Sequence, residues 1–406
     1  MLATIFKRLA RRQLFGPTML ANPYPYYARL RRIDPVHWEE QTGGWVLTRY
    51  ADIVSVLRSP HASAERTEMA QRRVPAEFQE LFTTRKDAML NADPPRHTRL
   101  RLLVNKAFTP GAVTALAPFI QRFVDDVIDT VQPWGRMDVI RDLAYPLPAT
   151  VIAEMLGVPH EDRDRFKQWS DDTAALAGNL PGNLSEGVLR RAVEGMRELR
   201  AYFAGIVAQR RVEPRDDLLS ALVKAQEDGE RLNEAELLAN AVLLLNAGHE
   251  TTTNLIGNGT LALLQHPDQL RRLRENPALI STAVEELLRY DSPVQFTSRV
   301  LKADLSLGGK QLHAGQTVLL LLGAANRDPA QFPDPDRLDV GRADNKHLAF
   351  GLGSHFCLGA PLARLEGRIV FETLLRRLPG LRLAGPKPMY RQNFNLRGLE
   401  ALEVAF

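Results

Sequence analysis

One stretch dominates the hydrophobic pattern of the chain. From residue 233 to 264 apolar side chains recur on every face of a 3.6-residue period. A helix apolar nearly all round is one buried through a large domain. Elsewhere the helical periodicity is amphipathic, at 22–32, 50–57, 93–108, 111–131, 147–156, 160–178, 184–211, 216–227, 276–290 and 360–377, with Pro133, Pro159, Pro181 and Pro214 as breakers. Strand-like alternation is confined to short pieces. Val36-His37-Trp38 and Gly44-Trp45-Val46-Leu47-Thr48 flank Thr42-Gly43-Gly44 and predict a hairpin; 294–300, 303–307 and 317–322 follow, and 381–406 reads as a terminal hairpin or two. Residues 60–92 are polar and weakly periodic, a loop or short helices long enough to suggest function. Residues 326–338 are dense in Asp and Pro, hence irregular. The fold class is mainly α with small β-sheets. No internal repeat or Pro/Gly/Ser-rich linker divides the chain, so residues 1–406 read as a single domain with 1–20 as a mobile N-terminal extension.

Inside the long apolar helix the pattern breaks at Ala247-Gly248-His249-Glu250-Thr251-Thr252-Thr253. A charge beside three β-branched hydroxyl residues is poor helix filling, and such a local break points to a functional site. Threonine can bond the carbonyl one turn back and Gly248 weakens the same turn, so a kink or bulge is expected there.

Composition narrows the class. The 406 residues carry 52 Lys and Arg against 48 Asp and Glu, a net charge of +4. With no basic patch interleaved with aromatics, this mild charge argues against a dedicated nucleic-acid binder. No run reaches the ~20 apolar residues of a membrane span. Leu2, Ile5, Phe6 and Leu9 oppose Lys7, Arg8, Arg11 and Arg12 at helical spacing; such a piece packs on the domain or frays more often than it rests on an anionic membrane. The single cysteine excludes an intramolecular disulfide and suits a reducing cytoplasm.

That cysteine carries the strongest chemistry. Cys357 lies in Phe350-Gly-Leu-Gly-Ser-His-Phe-Cys-Leu-Gly359, flanked by Gly351, Gly353 and Gly359, just before a helical pattern. Glycine permits tight turns and close approach to the main chain. A helix start favours thiolate, the metal-ligating form. These residues describe a sulfur anion on a tight loop, presented to something flat. The bland alternative is a buried structural thiol.

The spacing Phe-x-x-Gly-x-x-x-Cys-x-Gly, filled by Phe350, Gly353, Cys357 and Gly359, resembles the haem-binding loop of the cytochrome P450 family, and bacterial soluble members in particular. Three further motifs occur in the family's order from residue 22 to the C-terminus. Glu286-x-x-Arg289 implies a buried pair with Arg337 as third member. Ala247-Gly248-x-Glu250-Thr251 is similar to the oxygen-activating groove. His97-x-x-x-Arg101 matches the helix that holds a haem propionate, and Arg299 and His355 match further propionate contacts. Each has a bland surface alternative; their joint order favours the family. The resemblance implies a triangular helical prism around haem b (iron protoporphyrin IX) with Cys357 as axial ligand.

It also implies a haem-thiolate monooxygenase that adds one oxygen atom of O2 to a lipophilic small molecule, with Glu250 and Thr251 handling protons. A peroxygenase or rearrangement enzyme is the second reading, disfavoured by the Glu250–Thr251 pair; a haem-binding sensor or carrier is the third. No Gly-rich dinucleotide fingerprint follows a strand, so electrons are expected from a ferredoxin or flavodoxin with its NAD(P)H reductase, steered by Arg99, Lys106 and Arg364. Pocket walls are expected from Leu243, Leu244, Ala247, Val294 and Phe394, together with 60–92 and 168–190. The protein is expected to be a cytoplasmic monomer.

Overall fold

The computed structural model describes residues 16–71, 74–105, 108–174, 185–227 and 232–406. The basic amphipathic stretch 1–12 and Lys106 lie outside them. Of the extension drawn at 1–20, residues 17–21 form a short helix with Met19 buried. The chain folds as two compact units. One comprises the chain up to Ser63, Gln121–Ala144 and Thr252–Phe406; the other comprises Ala64–Ile120 and Tyr145–Thr251.

The first unit holds the sheets. The predicted hairpin forms, Val36–Glu39 against Gly44–Leu47, in register Val36↔Leu47 and Trp38↔Trp45, with Gly43 at φ +57° in the turn. The two indoles meet edge-on at 5.3 Å, a cross-strand pair that fixes the register. The apolar run Thr317–Leu320 is buried between strands, parallel to Gly44–Leu47 and antiparallel to Thr297–Leu301; Ala62–Ser63 closes the far edge of this five-stranded sheet. Gly44 permits the parallel pairing, since a Cβ there would lie 2.8 Å from the Thr317 carbonyl oxygen. A three-stranded sheet of Arg136–Asp138, Glu403–Ala405 and Arg382–Leu383 ties the tail to the middle of the chain.

Helix Ile280–Tyr290 packs on helix Ala360–Arg377 through a core of Leu287, Leu288, Val284 and Phe371. Helix Pro267–Glu275 was not legible in the pattern: only Leu270 and Leu273 are buried apolar residues in an otherwise charged stretch.

The second unit is helical. The 60–92 region resolves mostly into short helices, Thr67–Gln71, Ala76–Phe78, Glu80–Asp87 and Met89–Asn91, anchored by buried Phe78, Leu81, Phe82 and Met89. Helices Arg96–Asn105, Pro146–Met155, Arg163–Ala174, Glu186–Val212 and Leu218–Glu227 follow. The long apolar segment is one helix, Glu234–Gln265, which stays α-helical through the irregular 247–253 stretch. Asn240, polar in that apolar run, is satisfied: its Nδ2 donates to the Glu236 carbonyl at 2.7 Å and its Oδ1 accepts from the Met89 N–H at 3.0 Å.

Candidate active site

In the first unit the cysteine loop is closed by main-chain bonds. The Cys357 N–H donates to the Phe350 carbonyl at 2.9 Å, and the Cys357 carbonyl accepts from Ala360 at 3.4 Å. Two left-handed glycines make the turn, Gly351 at φ +70° and Gly353 at φ +77°. A Cβ on Gly353 would sit 2.9 Å from the Leu57 carbonyl oxygen, so this position admits only glycine. Phe350 packs into the core of Leu287 and Phe371, and Leu352 into that of Ile53 and Leu57. Two anchored ends thus present an exposed sulfur between them. Gly359 caps helix Ala360–Arg377, whose first-turn N–H groups lie just past the sulfur and favour its anion. Phe356 also stays exposed beside it, and a Cβ on Gly359 would meet no atom within 4 Å.

This surface fits a flat macrocycle lying on sulfur, glycine and phenyl. Among the described residues no group of three or more His, Cys, Asp or Glu could hold a bare metal ion. A haem held at Cys357 would carry the iron's other donors in its own ring. His355 ends the 3₁₀ turn Gly353–His355 on the same loop. Arg299 lies on the strand Thr297–Leu301, its guanidinium donating to Thr297 Oγ1 and the Ser298 carbonyl.

Behind the loop lie two charged knots. Glu286 and Arg289 are both fully buried and paired through two bonds of 2.7 and 2.8 Å. The expected third member is corrected. Arg337 is exposed and contributes only its carbonyl, which accepts from Arg289 Nη2 at 3.2 Å. The second cation on Glu286 is Arg342, at 3.1 Å, joined by Asn345 Nδ2 at 3.1 Å and the Asp339 N–H at 2.9 Å. The segment is irregular, so spacing gave no guide to which arginine turns inward.

The second knot was missed. Arg364 grips Glu285 with two bonds of 2.7 and 2.8 Å and stacks 4.7 Å over the Phe350 ring, while His347 meets the same carboxylate at 3.2 Å. Burial alone would raise the Glu285 pKa, but the bonds from Arg364 and His347 hold it down at about 2. The only available signal was Glu285 beside Glu286.

In the second unit His97 is buried and Arg101 half-buried on helix Arg96–Asn105. On the long helix, Leu243, Ala247 and Thr251 form an accessible line at four-residue spacing, one helix face. Leu244, expected in the same wall, is buried. Thr251 Oγ1 donates to the Ala247 carbonyl at 3.0 Å, the back-bond expected of threonine. Glu250 is 6% exposed. Gly248 lies against Ile152, 3.1 Å from where its Cβ would be. In the first unit, Val294 bridges Leu396 and Phe394 packs with Met19, Tyr27 and Phe296. Arg99 and Arg364 are both neutralised by carboxylates, Arg99 by Glu236 at 2.5 Å.

Known proteins share both the sequence and the fold of this chain. A family model described as Cytochrome P450 matches residues 45–393. The biotin biosynthesis cytochrome P450 of Bacillus subtilis (strain 168) is 42% identical over 389 residues, 95% of this chain and 97% of that protein. The vitamin D(3) 25-hydroxylase of Pseudonocardia autotrophica is 43% identical over 398 residues, 96% of this chain and 95% of that protein. Among solved structures, P450BioI in complex with a hexadec-9Z-enoic acid ligated acyl carrier protein superposes with a TM-score of 0.90 at 40% identity, covering 96% of this chain and 100% of that one.

Proposed function

This chain belongs to the cytochrome P450 family and is a haem-thiolate monooxygenase, and on that premise we propose which of its residues do the work. Cys357 would hold the iron of haem b through its thiolate. The carrying observation is the sole cysteine of the chain, exposed at a helix start on a loop whose two ends are locked in core. Arg299 and His355 of the first unit and His97 and Arg101 of the second would pair with the propionates; Phe350, Gly351 and Gly359 of the first and Ala247 and Gly248 of the second would offer surface to the ring. Haem bound there would supply the iron at which RH, O2, two electrons and two protons become ROH and water. Thr251 Oγ1, its own proton donated to the Ala247 carbonyl, keeps lone pairs free to accept. Glu250, the adjoining acid, supplies protons that Thr251 orders toward the open helix face.

The substrate is a lipophilic molecule; Leu243 and Ala247 in the second unit and Val294 and Phe394 in the first are the side chains proposed to meet it, and they offer apolar contact and no charge. Fatty-acyl and secosteroid-sized molecules are the first candidates, given what the relatives are named for. Electrons come from a ferredoxin or flavodoxin with its NAD(P)H reductase. Among the described residues no helix is long and apolar enough to cross a membrane; a cytoplasmic monomer is the working assignment.

Two variants test this reading. The reduced carbon-monoxide complex should show the red-shifted band of thiolate-bound haem, and Cys357→Ala should lose it; retention of the band removes the ligand assignment. Thr251→Ala should keep haem and substrate binding but release peroxide while NAD(P)H is consumed. Unchanged product per NAD(P)H would favour peroxide or rearrangement chemistry.

A further inference from the structure

Within the second unit, the turn that carries Glu250 and Thr251 is gripped from two sides. Helix Pro146–Met155 supports one: Ile152 fills the space left by Gly248, and the ring of Tyr145 stands edge-on 5.5 Å from the His249 imidazole. Helix Arg163–Ala174 holds the other through hydrogen bonds. Ser170 Oγ lies 3.1 Å from His249 Nδ1 and 3.3 Å from Asn246 Oδ1; Thr173 Oγ1 lies 2.9 Å from the same oxygen and 3.0 Å from the carbonyls of Trp169 and Ser170, any one of which can take its proton. A hydroxyl has one proton. With that proton on Asn246, His249 donates its Nδ1–H to Ser170; with it on His249, Nδ1 accepts, and either way the two side chains are linked.

Ser170 and His249 are 1% and 2% exposed. Apolar side chains could join the helices without desolvating four polar groups. Hydrogen bonds add direction: they fix the rotation of the long helix about its axis. Asn246 lies four residues before Glu250, on the same face, and His249 is its neighbour. Helix Arg163–Ala174 is seated in turn on Glu186–Val212, where Gly195 lets the backbones close in; a Cβ there would lie 3.3 Å from the Trp169 carbonyl oxygen.

We propose that Ser170, Asn246 and His249 are positioning residues for oxygen activation. They orient Glu250 and Thr251 only while helix Arg163–Ala174 is seated, which couples proton delivery to the placement of that helix. The inference rests on the roles given above to Glu250 and Thr251.

The test compares Ser170→Ala, His249→Leu, their double variant and His249→Asn in the haem-loaded full chain. Hexadec-9Z-enoic acid is the probe substrate, with NADPH, a ferredoxin and its reductase. Ser170→Ala and His249→Leu should each lower product per NADPH about three- to tenfold, the equivalent of one buried neutral hydrogen bond, with peroxide rising to match. The double variant should be no worse than either single one, because both break the same link. His249→Asn, whose amide nitrogen can stand in for Nδ1, should recover coupling. Unchanged coupling, additive losses, or losses that track the melting temperature in every variant including His249→Asn would overturn the proposal. Thr251→Ala run alongside separates the two readings. Peroxide release there, with Ser170→Ala and His249→Leu still coupled, overturns the positioning role alone; full coupling in Thr251→Ala overturns the reading beneath it.

Discussion

Glu366 is a carboxyl group 1% exposed on helix Ala360–Arg377, and its Oε2 meets no hydrogen-bond partner. Burial pushes its pKa up to about 8 from an ordinary 4.5, so at neutral pH it is held as the neutral acid. Between those values the folded chain keeps a proton that the unfolded chain gives up. The stability it contributes is complete below 4.5 and is lost as the pH rises through about 8, at up to ~1.4 kcal/mol per pH unit. Glu366→Gln removes the titration. Its melting temperature should exceed the parent's at pH 8 and match it near pH 4.5; equal pH slopes would mean that Glu366 is solvated. Nothing in the sequence marked this residue, because burial without a partner is a property of packing. Cys357 was legible for the opposite reason: its glycines constrain the chain locally, and local sterics are written in residue order.

At the scale of elements, the two-residue periods and turn glycines found the hairpin at 36–47, and apolar content found the long helix. Helix Pro267–Glu275 escaped because two leucines in nine residues give no stripe. The Asp- and Pro-rich segment after 326 was read as irregular, and irregular backbone leaves side-chain direction undetermined by spacing. This is why Arg342 rather than Arg337 completes the knot around Glu286. Arg342→Ala takes one of two cations from a buried carboxylate and should cost about 1–3 kcal/mol in denaturant unfolding. Arg337→Ala, whose carbonyl remains, should change stability by under ~0.5 kcal/mol. The reverse ranking would restore Arg337 to the knot.

At the scale of the molecule, contacts join parts of the chain that no window of sequence connects. Asp291, in the first unit, accepts from Arg397 Nε at 2.7 Å, Tyr24 at 2.5 Å and Tyr390 at 3.1 Å. Arg397 lies 3.5 Å over the Tyr390 ring and donates to the carbonyls of Leu20 and Ala21, the first of these 377 positions away. Periodicity located the helix that ends before Asp291 and the terminal strands, but read the segment of Leu20 as a mobile extension and did not show that these parts meet. Asp291→Asn leaves the Arg397 charge buried without its counter-ion, a loss of ~3–5 kcal/mol. The unfolding midpoint in urea should fall accordingly; a midpoint within error of the parent would mean that Arg397 finds solvent.

The clamp of Arg397 on Leu20 and Ala21 also sets a practical boundary for anyone shortening or tagging this protein. A protease site or affinity handle placed ahead of Gly16 leaves both carbonyls in place. Cutting back to Asn22 takes them away and leaves a cation facing the vacated seat of Met19, so yield on expression, rather than turnover, is where such a truncation would first be felt.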